Sequence, residues 1–302
     1  MSASSESGWS RRVVEVAILG FALFSPWSIA GAQICLALGL MAWAVRIALA
    51  RGRGLVGTSL GWPIAAFLLV SLISALLSPD PLGGLRSLKS EWTVLLFFLV
   101  ANNLHDHNAV RRTIDLLVAV TTLVGLYAIW QHFAGWDLYR DRPLRATGDV
   151  FEATGVFGHH LTFGGYVMVI LIVVVCLFLW GTRGRRRMGY GLASIVLGLA
   201  LIFSYARSAW FGLLGGVVVV GILRGRKTLL TVLAGAVLLA VLLLLLQPSV
   251  RLQMREALGQ LEEPMITSSR VQLWSTVLRM IRDHPLFGVG LGQIRGSLAA
   301  YG

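Results

Sequence analysis

Charge is scarce in this chain, and negative charge scarcer still: 13% of the 302 residues are charged, with 14 Asp or Glu against 26 Lys or Arg. So few charges cannot clothe a solvated surface. With 56% hydrophobic residues and a mean hydropathy of +0.77, the composition excludes a soluble globular domain of this length. Cysteine is nearly missing as well. Cys35 and Cys176 both fall inside apolar runs, which excludes a solvent-exposed disulfide framework. The N-terminus lacks a small-residue cleavage site after Arg11-Arg12 and its apolar run, so that segment reads as an uncleaved first helix rather than a signal peptide. No internal repeat or soluble domain interrupts the pattern, and residues 1–302 read as a single transmembrane domain.

What is present is a series of long apolar runs. A membrane helix needs about 20 mostly apolar residues, and runs near that length occur at about 13–30, 32–50, 60–77, 91–104, 113–131, 163–180, 190–206, 208–223 and 229–247. The expected fold is all-α, a polytopic transmembrane bundle of about nine spans, with Pro26 bending the chain between the first two. Placing the N-terminus in the cytoplasm puts 14 basic residues against four acidic ones in the inner segments, whereas the outer segments hold 12 against 10. That asymmetry obeys the positive-inside rule. The loop at about 132–162 and the tail 248–302 then face outward, which in a Gram-negative cell is toward the periplasm. The basic runs, such as Arg183 and Arg185 to Arg187, lie in short gaps between apolar segments, where topology accounts for them and a nucleic-acid partner is rejected.

Arg207 is the most informative single residue. It is a lone cation in Ser204-Tyr205-Ala206-Arg207-Ser208-Ala209-Trp210, between 190–206 and 208–223, which carry no other charge. Isolated arginine near a bilayer needs a partner, and the inward-running helix that follows directs its positive end at this position, with Ser208 as the expected cap. The pattern points to an anionic substrate, the alternative being an arginine that snorkels to water. In the outer loop, Arg140, Arg142 and Arg145 stand near His159-His160 and Gly155, Gly158, Gly164 and Gly165. Guanidinium groups bind phosphate bidentately and glycine permits close backbone approach, so Arg142, Arg145, His159 and His160 are candidate substrate-binding residues. An ordinary ion-pair network with Asp137, Asp141, Asp149 and Glu152 is the competing reading, and adjacent histidines lack the spacing of a metal site.

In the tail, Val271, Trp274, Leu278 and Ile281 recur at helical spacing, predicting an amphipathic outer-face helix near 270–283 that stops before Pro285. Arg270 falls in its first turn, near free N–H groups. Gly288, Gly290 and Gly292 alternate, but no strand precedes them and they do not make a dinucleotide fingerprint. His105-Asp106-His107 reads as a hydrated turn, and Gly212 with Gly216 reads as a close helix–helix contact.

Three segments together resemble the O-antigen ligase family, the Wzy-like ligases and polymerases of bacterial envelopes. They are Gly155-Val156-Phe157-Gly158-His159-His160-Leu161-Thr162-Phe163-Gly164-Gly165-Tyr166, Ser204 through Gly212, and Ser269-Arg270 through Trp274 to Asp283-His284-Pro285-Leu286-Phe287-Gly288-Val289-Gly290, family-like over about 153–292. The resemblance implies a metal-independent glycosyltransferase without a cofactor. It would move a glycan from undecaprenyl diphosphate to lipid A-core, or to a growing glycan in a Wzy-like polymerase. Arg207 and Arg270 match the arginines thought to engage the diphosphate and are the candidate catalytic residues. Family members usually continue into a histidine-containing outer motif and further spans, so the chain is expected to be C-terminally incomplete, and resemblance does not assign that histidine's role to His159, His160 or His284. The rival from another class is a transporter or flippase, for which ionisable groups at mid-membrane and broken helices are the usual signs. Here the notable arginines gather on one face.

Overall fold

Apolar runs become helices wherever they are long enough for every backbone group to be bonded within the segment, which is what a bilayer demands. The computed structural model describes residues 3–49, 57–147, 150–181, 183–225, 227, 230, 233–235, 237 and 269–301. The helices are α1 (Ala3–Phe24), α2 (Ile29–Leu49), α3 (Gly61–Leu76), α4 (Pro81–Leu88), α5 (Leu95–Asn103), α6 (His107–Ala134), α7 (His160–Cys176), α8 (Arg185–Phe203), α9 (Arg207–Arg224), α10 (Ser269–Asp283) and α11 (Ile294–Tyr301).

Five helical segments are long and apolar enough to cross a membrane: α2, α6, α7 with its π-turn Leu177–Gly181, α8 and α9. The expected count of about nine is not reached among the described residues. α3 is apolar but only 16 residues long, and α1 ends at Phe24, with the turn at Pro26 separating it from α2. The run at 91–104 divides into a short 3-10 turn, Glu91–Val94, and the nine residues of α5. Nine residues rise about 14 Å, half of the roughly 30 Å hydrocarbon core. Asn102 and Asn103 end α5, their side-chain amides donating to the carbonyls of Phe98 and Leu99 at 3.0 and 2.7 Å. Most of the run 229–247 lies outside the described residues.

The described chain divides into two compact units. The first comprises residues 1–18, 33–110 and 257–302. Within it, α3 and α4 form a hairpin, with Asp80 capping α4 through the Gly83 N–H at 3.0 Å. The glycine run of the tail rides over this hairpin. Gly288, Gly290 and Gly292 all have positive φ, and a Cβ on Gly290 would lie 2.8 Å from Ser78, while one on Gly292 would collide with Ser87. Ser74 Oγ donates to the Phe287 carbonyl at 2.7 Å. The alternation is therefore a packing device. The predicted amphipathic helix is α10, on which Trp274, Leu278 and Ile281 are exposed while Thr276 and Met280 are buried.

The second unit comprises residues 19–32 and 111–256. Here α7 packs against both α8 and α9 around Phe163, Val167, Val174, Leu197 and Ala200. Lipid is as apolar as leucine, so close packing rather than exclusion of water holds such helices together. Small residues supply it: a Cβ on Gly212 or Gly216 of α9 would collide with Met168 or Ile172 of α7, and Gly164 of α7 lies against Ala206. The Gly212/Gly216 pair is thus the helix contact that its spacing implied. Leu192 and Ile195 of α8 and Phe211 and Leu223 of α9 stay exposed, as lipid-facing positions should.

Cations mark one end of this unit. Arg187 stacks on Phe178 at 5.2 Å and Arg224 on Trp180 at 4.8 Å, interfacial pairs of guanidinium and aromatic ring. Asp115 is held there by the Tyr190 hydroxyl and by Arg186 at 4.0 Å. The loop 135–159 and the start of α9 lie at the opposite end. His105 and Asp106, in place of the expected turn, form an irregular lead-in to α6, which starts at His107, with Asp106 accepting the Ala109 N–H at 3.1 Å.

Candidate functional site

The loop after α6 begins at Gly135, whose φ of +72° lets the chain reverse, its N–H bonding back to the Gln131 carbonyl at 2.9 Å. Two short hairpins follow. In the first, β1 (Trp136–Asp137) pairs with β2 (Arg142–Pro143) so that Asp137 stands opposite Arg142, and in the second β3 (Ala146–Thr147) pairs with β4 (Val150–Phe151). Fully buried side chains of α6 anchor the loop from below. Gln131 donates to the Gly155 carbonyl at 2.9 Å and accepts the Thr154 N–H at 3.2 Å, and His132 Nδ1 meets the Phe151 carbonyl at 2.8 Å while its ring stacks on Phe203 at 4.0 Å.

Asp137 is completely buried, and its carboxylate organises the first hairpin. Oδ1 accepts from the Tyr127 hydroxyl at 3.0 Å and the Tyr139 N–H at 3.2 Å, and Oδ2 lies 3.8 Å from both Arg140 and Arg142. The two guanidinium groups then clasp the turn that leads into α7: Arg140 donates to the carbonyls of Val156 and Phe157 at 2.7 and 2.9 Å, and Arg142 donates to that of Gly158 at 3.0 Å. Side-chain exposure ranks the three arginines, 30% for Arg140, 46% for Arg142 and 77% for Arg145. Part of the cluster is therefore the ion-pair network that its carboxylates suggested. Arg145, 3.8 Å from Glu152, keeps most of its guanidinium open.

Above this framework lies a pocket of about 280 Å³, lined by Arg142, Leu144, Arg145, Glu152, His159 and His160 among others. The four loop residues expected to bind substrate thus line one cavity. His159 is the N-cap of α7, its Nδ1 accepting the Leu161 N–H at 3.1 Å, and His160 Nδ1 lies 3.2 Å from Glu152 Oε2. Glu152 is buried beside these groups, a pairing that sequence spacing did not single out.

The turn into α9 adjoins the loop, because the Ala153 N–H donates to the Phe203 carbonyl at 2.9 Å. Ser204 Oγ donates to Leu201 O at 2.6 Å and accepts from the Ala206 N–H at 3.3 Å, and buried Tyr205 takes the left-handed conformation, φ +53°. A bulky residue there is strained and persists only where the surroundings over-determine it. Arg207 emerges exposed at the first position of α9. Ser208 does not cap this helix. Ala206 holds the cap position without a side-chain bond, and Ser208 lies inside the first turn, exposed. Arg270 is the second residue of α10, and its side chain lies outside the described residues. Sequence reasoning also passed over His132, for which a histidine inside an apolar helix was the available signal.

Fold and loop together define a multi-pass α-helical membrane protein with a polar, cation-lined pocket at one end of a helical unit. Residues 192–301 match the family model of the O-antigen ligases, in agreement with the resemblance seen in the motifs that this segment contains. The matched segment holds the Ser204–Arg207 turn, α9, α10 and α11, whereas the pocket loop precedes it. No curated protein and no solved structure matches the chain.

Proposed function

We propose that the protein is a membrane glycosyltransferase of the O-antigen ligase type, which moves a glycan from undecaprenyl diphosphate to a hydroxyl of lipid A-core on the periplasmic face of the inner membrane. The observation that carries this reading is the hydrogen bond between Ala153 and Phe203, which joins the pocket loop to the turn presenting Arg207. Cations from both then serve one end of the bundle. A diphosphate leaving group gains charge as its bond to the sugar breaks, and preorganised guanidinium groups stabilise that charge. Arg145 and Arg142 in the pocket and Arg207 on its turn supply them, and resemblance alone names Arg270 as a further candidate for engaging the diphosphate. At about 280 Å³ the pocket suits the reacting diphosphate–sugar end of a donor, not a whole glycan.

The test is expression of the full chain in cells that lack their own ligase but make lipid-linked O-antigen. Attachment of glycan to lipid A-core supports the reading, lengthening of lipid-linked glycan without attachment marks a polymerase instead, and no change in either overturns both. Lysine reproduces bidentate phosphate binding poorly, so Arg207→Lys should lose at least about 90% of attachment, roughly 1.4 kcal/mol of transition-state binding, at unchanged membrane yield. Wild-type attachment by that variant would remove Arg207 from the site.

A further inference from the structure

We infer that the groove between α6 and α8, at the end of the second unit opposite the pocket, holds an anionic diacyl phospholipid, with one acyl chain in the groove and its phosphate on Arg186 and Arg111. The two helices touch at two levels. Near their middles a Cβ on Gly125 of α6 would stand 3.2 Å from Leu197 and 3.4 Å from Val196 of α8, and nearer their starts the Tyr190 hydroxyl of α8 donates to Asp115 of α6. Between these contacts small residues leave the helices apart. Val118, Ala119 and Thr122 of α6 and Gly189 and Ala193 of α8 line an opening of about 320 Å³, and a Cβ on Gly189 would meet nothing within 4 Å. The walls run from Asp115 to Thr122 and from Arg186 to Ala193, about 10 Å of helix each. Beyond the mouth they are apolar, because the Thr122 hydroxyl is spent on the Val118 carbonyl of its own helix at 2.7 Å.

A slot that faces lipid gains little by exchanging one hydrocarbon chain for another. Selection therefore falls to the mouth. Arg186 lies 4.0 Å from Asp115 Oδ2 with 56% of its side chain exposed, and Arg111 stands one turn before Asp115 on the same face of α6, near enough to act on the Tyr190 hydroxyl as Arg186 does. Asp115 is the carboxylate on the lining, and Tyr190 and Arg186 already engage it. Two guanidinium groups against one paired carboxylate leave positive charge in excess, and the guanidinium fork suits the oxygens of a phosphodiester. A zwitterionic lipid would bring an ammonium into the same cation-rich mouth. The depth also fits a headgroup: at this end Arg187 stacks on Phe178 and Arg224 on Trp180, pairings of the membrane interface. Basic pockets between helices at that level bind anionic headgroups.

Mass spectrometry of the intact full chain released from detergent reads the bound lipid. With palmitoyl-oleoyl phosphatidylglycerol and phosphatidylcholine of the same chains offered at equal concentration, the wild-type chain should bind one phosphatidylglycerol at least about 10-fold more tightly. Arg186→Gln should weaken that binding about 5-fold, whereas Arg183→Gln, the same loss of charge away from the lining, should leave it unchanged. Gly189→Leu and, from the other wall, Ala119→Leu keep every charge but fill the groove, and each should lose the bound phosphatidylglycerol. Glycerol phosphate, a headgroup without chains, should not displace it. Equal binding of the two lipids, or equal losses in Arg183→Gln and Arg186→Gln, overturns the site. Full binding by both leucine variants, or displacement by glycerol phosphate, overturns it too and reduces the mouth to surface charge. The groove lies away from the pocket, so each of these outcomes leaves the proposed transfer function standing.

Discussion

Arg140, Arg142 and Arg145 lie within six residues of one another, and the fold uses them differently. Arg140 closes the loop by bonding two carbonyls and neutralising buried Asp137, whereas Arg145 pairs with Glu152 and stays open. Removing a cation from a buried carboxylate and two carbonyls costs more than removing an exposed pair. Arg140→Ala should therefore destabilise the protein by about 2–3 kcal/mol and expose the loop to protease, and Arg145→Ala should cost less than about 1 kcal/mol while lowering glycan transfer. Equal thermal shifts in the two variants would contradict this division. The arginine–histidine cluster was legible in the sequence because its residue types are rare in so apolar a chain. The division of labour was not, since it follows from the register that sets Asp137 opposite Arg142 and from a Glu152–His160 pairing eight residues apart across a hairpin end.

Among the elements, those read most directly are the ones whose apolar stretch alone decides the outcome: α2, α6, α7, α8 and α9 fall within a few residues of their predicted runs. Where tertiary partners decide, periodicity is silent. The run at 91–104 is apolar enough for a span but yields only α5, and the start of α9 is set by the left-handed Tyr205 rather than by a cap at Ser208. The glycine run makes the same point, because its meaning lies in the serines of the α3–α4 hairpin that it crosses. Gly290 has φ +100° and abuts Ser78, so Gly290→Ala should destabilise by about 1–3 kcal/mol. Gly296, with open space beside it in α11, should tolerate alanine without loss. Thermal unfolding in detergent compares them, and equal stability of the two variants would contradict the packing role.

Across the whole molecule, one orientation follows from the charges. Within the second unit, α6 carries Arg111 and Arg112 near its start, α8 begins with Arg185 to Arg187, and α9 ends at Arg224, all at the end opposite the pocket. By the positive-inside rule this supports the proposed orientation, with the pocket outside. In a chain whose Cys35 and Cys176 are replaced by alanine, Leu138→Cys should react with an impermeant thiol reagent in intact spheroplasts, and Arg185→Cys only after lysis. The reverse pattern would invert the topology and remove the periplasmic site. This proposed orientation rests on the placement of basic residues between apolar runs, which the sequence alone displays, not on any contact.

The backbone bond between Ala153 and Phe203 also bears on how the chain can drift in evolution. The segment from 142 to 160 is tied at both sides, to Asp137 and Gly158 through Arg142 and to the end of α8 through Ala153. An insertion or deletion there would move the pocket wall and the Arg207 turn out of step. The tip of the first hairpin is tied as well, by the Tyr139 N–H on Asp137 and by Arg140 on the carbonyls of Val156 and Phe157, whereas the side chains of Leu138 and Asp141 are exposed. Relatives of this protein should therefore vary in residue type at positions 138 and 141 and hold the spacing from Asp137 to His160 constant, even where other residues have changed.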